Sequence, residues 1–178
     1  MWDRHSCSLS GALMQSLVIP IQSELPRLLE TDPGNASWAV TATLLAGAVT
    51  MPVTGRLADM YGKKRVLVVS AANLALGSAL AALGGGLALF LVGRVLQGVA
   101  MGHIPVAISM VREIAPPERK AGAVAAVSAT MGVGGAIGLP LAAWIAEEFS
   151  WHDLFWFSAA LAVVVLATTW VVVPAVHD

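Results

Sequence analysis

Charge is what this chain has least of. Only 12% of its 178 residues are charged, 57% are apolar, and the mean hydropathy is +0.78. Soluble domains carry about 25% charged and roughly 45–50% apolar residues. A surface wholly exposed to water is therefore excluded, and an integral membrane protein is implied. A formal net charge of −1 gives no basic excess toward nucleic acid. The single Cys7 cannot close an internal disulfide. There is no G-x-S-x-G, no H-E-x-x-H, no Walker-type glycine loop and no cysteine cluster, so the common enzyme constellations are missing. An intramembrane hydrolase needs a serine or paired aspartates at membrane depth, and the apolar stretches contain no Asp. The start of the chain holds Asp3, Arg4 and several serines without a small-x-small cleavage site, which argues against a cleaved signal.

What is present is apolar length. A membrane helix needs about 20 mostly apolar residues, and charges and turn residues divide the chain into six such stretches. They span about 7–25, 37–57, 66–84, 88–111, 121–146 and 154–174. The breaks are "ETDPGN", the basic segment "GRLADMYGKKR" (55–65), Gly84–Gly86, "REIAPPERK" (112–120) and "EEFSWHD". The expected fold is an all-α integral membrane bundle of six transmembrane helices.

The cations set an orientation. Arg56, Lys63, Lys64 and Arg65 lie in one break, and Arg112, Arg119 and Lys120 in another. The alternate breaks hold Arg27 against Glu24, Glu30, Asp32, Glu147, Glu148 and Asp153. Lys and Arg favour the cytoplasmic side, so the two basic breaks and both termini are expected on the cytoplasmic side of the inner (plasma) membrane. Trp38, Trp144, Trp151 and Trp156 fall near the opposite boundary, as an aromatic belt would.

Three features within the spans carry chemistry or packing. Arg94 is the one cation well inside a span, and Gln97, three residues on, shares its face. A charge there costs roughly 2.5–3.5 kcal/mol on insertion scales and calls for a cavity or a partner, unless it snorkels outward. His103 is nine residues further, on the opposite face, and reads as a packing histidine; Pro105 is expected to bend that helix. Gly122, Ala126, Thr130, Gly134, Gly138 and Ala142 recur every four residues as one slowly winding stripe for close helix approach, which ordinary packing explains by itself.

The basic break resembles the signature loop of the major facilitator superfamily. Gly55, Asp59, Gly62, Lys63 and Lys64 fill its pattern between the second and third spans, with Met60 where the family has Arg or Lys. "RVLQG" is similar to the fourth-span R-x-x-Q-G motif through Arg94, Gln97 and Gly98. "GVGGAIGLP" (132–140) is similar to the fifth-span antiporter signature, with Gly138, Leu139 and Pro140 in altered order. The wording over about 15–174 looks most like fourteen-span multidrug-efflux members.

The resemblance implies one six-helix half, a 3+3 inverted repeat, of a drug/proton antiporter that works by alternating access without a cofactor, driven by a proton gradient. Gly55, Arg56, Asp59, Gly62, Lys63, Lys64 and Arg65 would form a conformational-switch loop in which Asp59 meets a helix N-terminus of the other half. Arg94, Gln97 and Gly98 would serve proton coupling or the cavity, and Gly134, Gly138 and Pro140 a gate. The usual first-span carboxylate is missing, and Glu24 is the nearest. The implied partners are lipid, a small-molecule substrate, and either a C-terminal six-helix half or a second copy. Matching one half, the chain alone is expected to give no coupled flux. The competing expectation is a non-transporting membrane protein that modulates another transporter through its small-residue face.

Overall fold

A computed structural model describes residues 25–28, 30–83 and 86–172. Residues 7–24 of the first predicted span, Glu24 among them, lie outside the described residues. The described residues are helical and connected by short turns: α1 (Leu25–Leu28), α2 (Pro33–Tyr61), α3 (Lys63–Ala82), α4 (Leu87–Ala100), α5 (His103–Ile114), a 3-10 turn (Pro117–Arg119), α6 (Lys120–Glu148) and α7 (Trp151–Val172).

Helix α2 begins after extended Asp32, with Pro33 in the first turn where a missing N–H costs nothing. Its 29 residues extend about 43 Å at 1.5 Å per residue, beyond the hydrocarbon layer of about 30 Å. Residues 55–61, expected in a loop, are therefore the last turns of this helix, which outlast the apolar layer. Only Gly62 separates α2 from α3. It takes φ +91° and ψ 136°, and its N–H still bonds the Ala58 carbonyl at 3.1 Å.

The fourth span, Leu87–Ile114, is interrupted at Met101–Gly102, where both residues stay in the right-handed helical region. Pro105 has no N–H, so the Met101 carbonyl receives no ordinary helical bond from it. Ile104 N–H bonds that carbonyl instead at 3.2 Å, and Met101 N–H bonds the Gly98 carbonyl at 3.0 Å. These tighter three-residue steps place the break at Met101–Gly102, ahead of the proline. At the start of α7, Ser150 and Asp153 cap each other. Asp153 Oδ2 accepts from both Ser150 N and Oγ at 3.0 Å, and Asp153 N–H donates to Ser150 Oγ at 3.3 Å.

Helix α3 is the hub, packed on α2, α4, α5 and α7, while α2 also lies along α4 and α5. The buried face of α2 is Ala36, Ala39, Thr43, Gly47, Thr54 and Ala58, small side chains throughout. They bring backbones together, the main route to cohesion where lipid is as apolar as the core. Phe90 closes one end of the bundle, edge-on to Trp151 at 5.8 Å and to Phe155 at 5.3 Å. Of the predicted belt, Trp38, Trp144 and Trp156 are exposed, whereas Trp151 is half-buried in this aromatic cluster.

Four stretches are long and apolar enough to cross a membrane: Pro33–Tyr61, Lys63–Ala82, Leu87–Ile114 and Pro117–Glu148. Trp151–Ala167 is a shorter apolar run. The described residues thus hold four full-length candidates rather than the expected six, because the first predicted span lies outside them and the described apolar part of α7 is short. Leu45, Val49 and Val53 on α2 and Val163, Val164 and Val171 on α7 are exposed apolar side chains, as on a lipid-facing or partner-facing surface.

Candidate functional site

The backbone approach that builds the site comes from glycines. A Cβ on Gly93 would sit 2.5 Å from the Gly77 carbonyl, and one on Gly98 would sit 2.2 Å from the Thr43 carbonyl. Gly93 thus presses α4 against α3, and Gly98 presses it against α2. Gly102 continues the second contact, since its Cβ would meet Thr54 Oγ1 at 2.3 Å. Arg94 stands between these two contacts, 4% exposed.

Its hydrogen bonds tie three helices together. Nε donates to the Ala39 carbonyl of α2 at 3.1 Å, and Nη1 donates to Gln97 Oε1 at 2.6 Å. Gln97 Nε2 then donates to Ser78 Oγ of α3 at 2.9 Å. Gln97 is 6% exposed and Ser78 fully buried. Thr43 Oγ1 also donates to the Ala39 carbonyl, at 2.9 Å. The i, i+3 pairing of Arg94 with Gln97 is as the spacing predicts. Ser78 and the Ala39 carbonyl were not singled out by the sequence reading; the only available signal for Ser78 was a small polar residue deep in an apolar span. Gly98 acts here through close approach of helices. His103, at the start of α5, is buried and donates through Nδ1 to the Ala100 carbonyl at 2.7 Å.

The basic motif forms a separate region at one end of the bundle. Lys63 Nζ pairs with Glu113 at the end of α5, 50 residues away. This contact brings the turn around Gly62 and the 112–120 link to the same end, where the sequence placed both cation-rich breaks. Arg56, Asp59 and Arg65 are exposed, and Lys64 is half-buried. Gly55 is half-buried, with open space where a Cβ would lie.

The four-residue stripe on α6 is not one buried face. Gly134, Gly138 and Ala142 are buried, Thr130 is half-buried, and Gly122 and Ala126 are exposed; Pro140, outside the stripe, is exposed as well. A four-residue step drifts about 40° around a helix of 3.6 residues per turn, so such a stripe winds from one side to the other. The buried positions are instead Val127, Gly134, Gly138, Ala142 and Ile145, which keep the helical period. Among the described residues no group of three or more His, Cys, Asp or Glu is placed to hold a metal ion.

The model for the Major Facilitator Superfamily matches residues 5–178. The chain belongs to that superfamily. An uncharacterised MFS-type transporter of Mycobacterium tuberculosis is 32% identical over 168 residues, 94% of this chain and 24% of the relative. The probable multidrug resistance protein EmrY of Escherichia coli is 33% identical over 137 residues, 76% of this chain and 26% of EmrY. The chain thus spans about a quarter of these relatives' length. The xylose transporter XylE of Escherichia coli shares the fold at a TM-score of 0.84 and 14% identity, over 97% of this chain and 49% of XylE. Members of the superfamily are integral membrane transporters, and the apolar helices of this chain agree with that placement.

Proposed function

We propose that this chain is the N-terminal six-helix half of a proton-coupled exporter of drugs or other small amphipathic molecules. It lies in the inner (plasma) membrane with both termini cytoplasmic, and works with a second six-helix half by alternating access. The carrying observation is the buried chain from Ala39 through Arg94 and Gln97 to Ser78, set in a fold that covers about half of a solved transporter of the superfamily. A polar network inside the membrane marks a substrate or proton path, and substrate sites of such transporters lie near the midplane between halves. The likeness to EmrY supports the drug-exporting branch.

In this reading Asp59 and Arg56, exposed at the end of α2, face the second half and steady one of its two positions. Lys63, held by Glu113, fixes the start of α3 beneath them, and Lys64 and Arg65 hold the turn at the cytoplasmic interface. Gly134, Gly138 and Pro140 belong to a helix that slides as the halves rock.

The test is transport in proteoliposomes under an imposed proton gradient, read with labelled ethidium and 1-naphthoate. The chain alone is expected to move neither in an uncoupler-sensitive way. Joined to the part of EmrY that follows its matched segment, it is expected to move at least one of them. Coupled flux by the chain alone, or a folded and inserted chimera that moves neither, would sink the proposal.

A further inference from the structure

Among the described residues, Arg94 is a buried charge without a counter-charge. None of the 11 acidic residues falls within 7–23, 33–58, 60–112, 119–146 or 154–177, so no apolar stretch contains a carboxylate. The hydrogen bonds of the guanidinium go to two neutral oxygens, Ala39 O and Gln97 Oε1. An arginine has five N–H donors, so both N–H groups of Nη2 and one of Nη1 have no partner among the described residues. A buried cation in that state carries its desolvation cost without the Coulomb attraction that would offset it.

The free donors are also within reach. Arg94 retains 4% of its surface, and none of its nitrogens is among the sealed, unpartnered side-chain atoms of the described residues. The unbonded Nη2 therefore keeps a little accessible surface in an otherwise buried residue. The Ala39 carbonyl that accepts from Nε also accepts from Thr43 Oγ1, so the groups beside the guanidinium on α2 are small. Gln97, locked from behind by Ser78, keeps the guanidinium from turning away.

We infer that Arg94 receives the oxyanion of a small amphipathic ligand, and that this ligand is a monoanion such as a carboxylate on an apolar body. A carboxylate meets a guanidinium through two parallel charge-assisted bonds, the strongest pairing these donors make. One positive charge neutralises one negative charge; a dianion would leave a net charge buried in lipid surroundings. The inference builds on the transporter reading, because it names the substrate class of the same site. A carboxylate supplied by a second polypeptide half would satisfy the same donors, and the experiment separates the two sources.

The experiment is equilibrium binding of radiolabelled 1-naphthoate to the full chain in phosphatidylcholine nanodiscs. Saturable binding is expected, with neutral 1-naphthamide and dianionic 1-naphthyl phosphate each competing at least about tenfold more weakly. Arg94→Lys, which keeps the charge but loses the fork, is expected to weaken binding by about tenfold. Gln97→Glu places a carboxylate beside the guanidinium and is expected to abolish binding in a folded protein. Absence of saturable binding, equal competition by 1-naphthamide, or wild-type affinity in folded Gln97→Glu would overturn the inference. The comparison of ligands on the unaltered chain decides even where a variant does not fold. Binding is read without flux, so a chimera that fails to transport leaves this result standing, and a transporter that ignores naphthoate leaves the transport reading standing.

Discussion

Gly77 and Gly93 face each other across the α3–α4 contact, and a Cβ on either would sit 2.6 Å or 2.5 Å from the other's carbonyl oxygen. Both would-be neighbours are backbone, which cannot rotate away as a side chain would. Gly77→Ala and Gly93→Ala should therefore separate two helices rather than displace one side chain, at a cost of about 1–3 kcal/mol. Gly122, with nothing within 4 Å, is the control. In the helix α6, alanine there should be neutral or stabilising by up to about 1 kcal/mol. Thermal unfolding in detergent, compared across the three variants, measures this; equal midpoints would show that α3 and α4 do not meet as described.

The two glycines of the basic motif separate in the same kind of experiment. Gly62 has open space around its missing Cβ but sits at φ +91°. Alanine there meets no neighbour and still strains the backbone, by about 1–3 kcal/mol. Gly55 lies within α2 with nothing near its Cβ position, so alanine should be tolerated. A Gly62→Ala protein as stable as Gly55→Ala would mean that the single-residue joint between α2 and α3 is not held in this conformation.

These contrasts show how much of the site is legible in sequence. Arg94 and Gln97 were readable because their spacing places them on one helical face and because a cation inside an apolar run has few uses. Gly62 was readable as a break, although the helix before it runs to its edge. The Ala39 carbonyl was not readable, since every residue owns a carbonyl and only packing at Gly93 and Gly98 brings this one to Arg94. Glu113 was not readable as the partner of Lys63, because contact across 50 residues is a product of tertiary arrangement. The α6 stripe was readable as a winding one, but which half of it packs was not: Gly134, Gly138 and Ala142 are buried, and Gly122 and Ala126 are exposed.

The Lys63–Glu113 pair joins two helix ends that each carry the wrong charge for their dipole. Lys63 stands at the N-terminus of α3 and Glu113 near the C-terminus of α5, each mildly unfavourable alone. Paired, they offset one another. With 12% of the lysine side chain and 48% of the glutamate exposed, the coupling should be no more than about 1 kcal/mol. A double-mutant cycle with Lys63→Met and Glu113→Gln should give that value at low salt and a smaller one at high salt. Coupling that ignores salt would place the pair away from water and contradict the exposed end of the bundle.

Ser78 is the far anchor of the Arg94 network, and its removal tests whether the network is held from α3. Gln97 Nε2 donates to Ser78 Oγ at 2.9 Å in a fully buried position. Ser78→Ala deletes that acceptor and leaves an amide N–H unsatisfied, which costs about 1–3 kcal/mol. Ser128→Ala is the matched control, because that hydroxyl is exposed and bonds only its own helix at 3.1 Å; its effect should stay within about 0.5 kcal/mol. Released from Ser78, Gln97 no longer has a reason to keep Oε1 toward Arg94, so the guanidinium should also lose part of its orientation. Thermal unfolding reads the first effect, and weaker 1-naphthoate binding by Ser78→Ala than by Ser128→Ala reads the second. Stability and binding both equal to the control would show that Gln97 finds another acceptor and that the α3 anchor is dispensable.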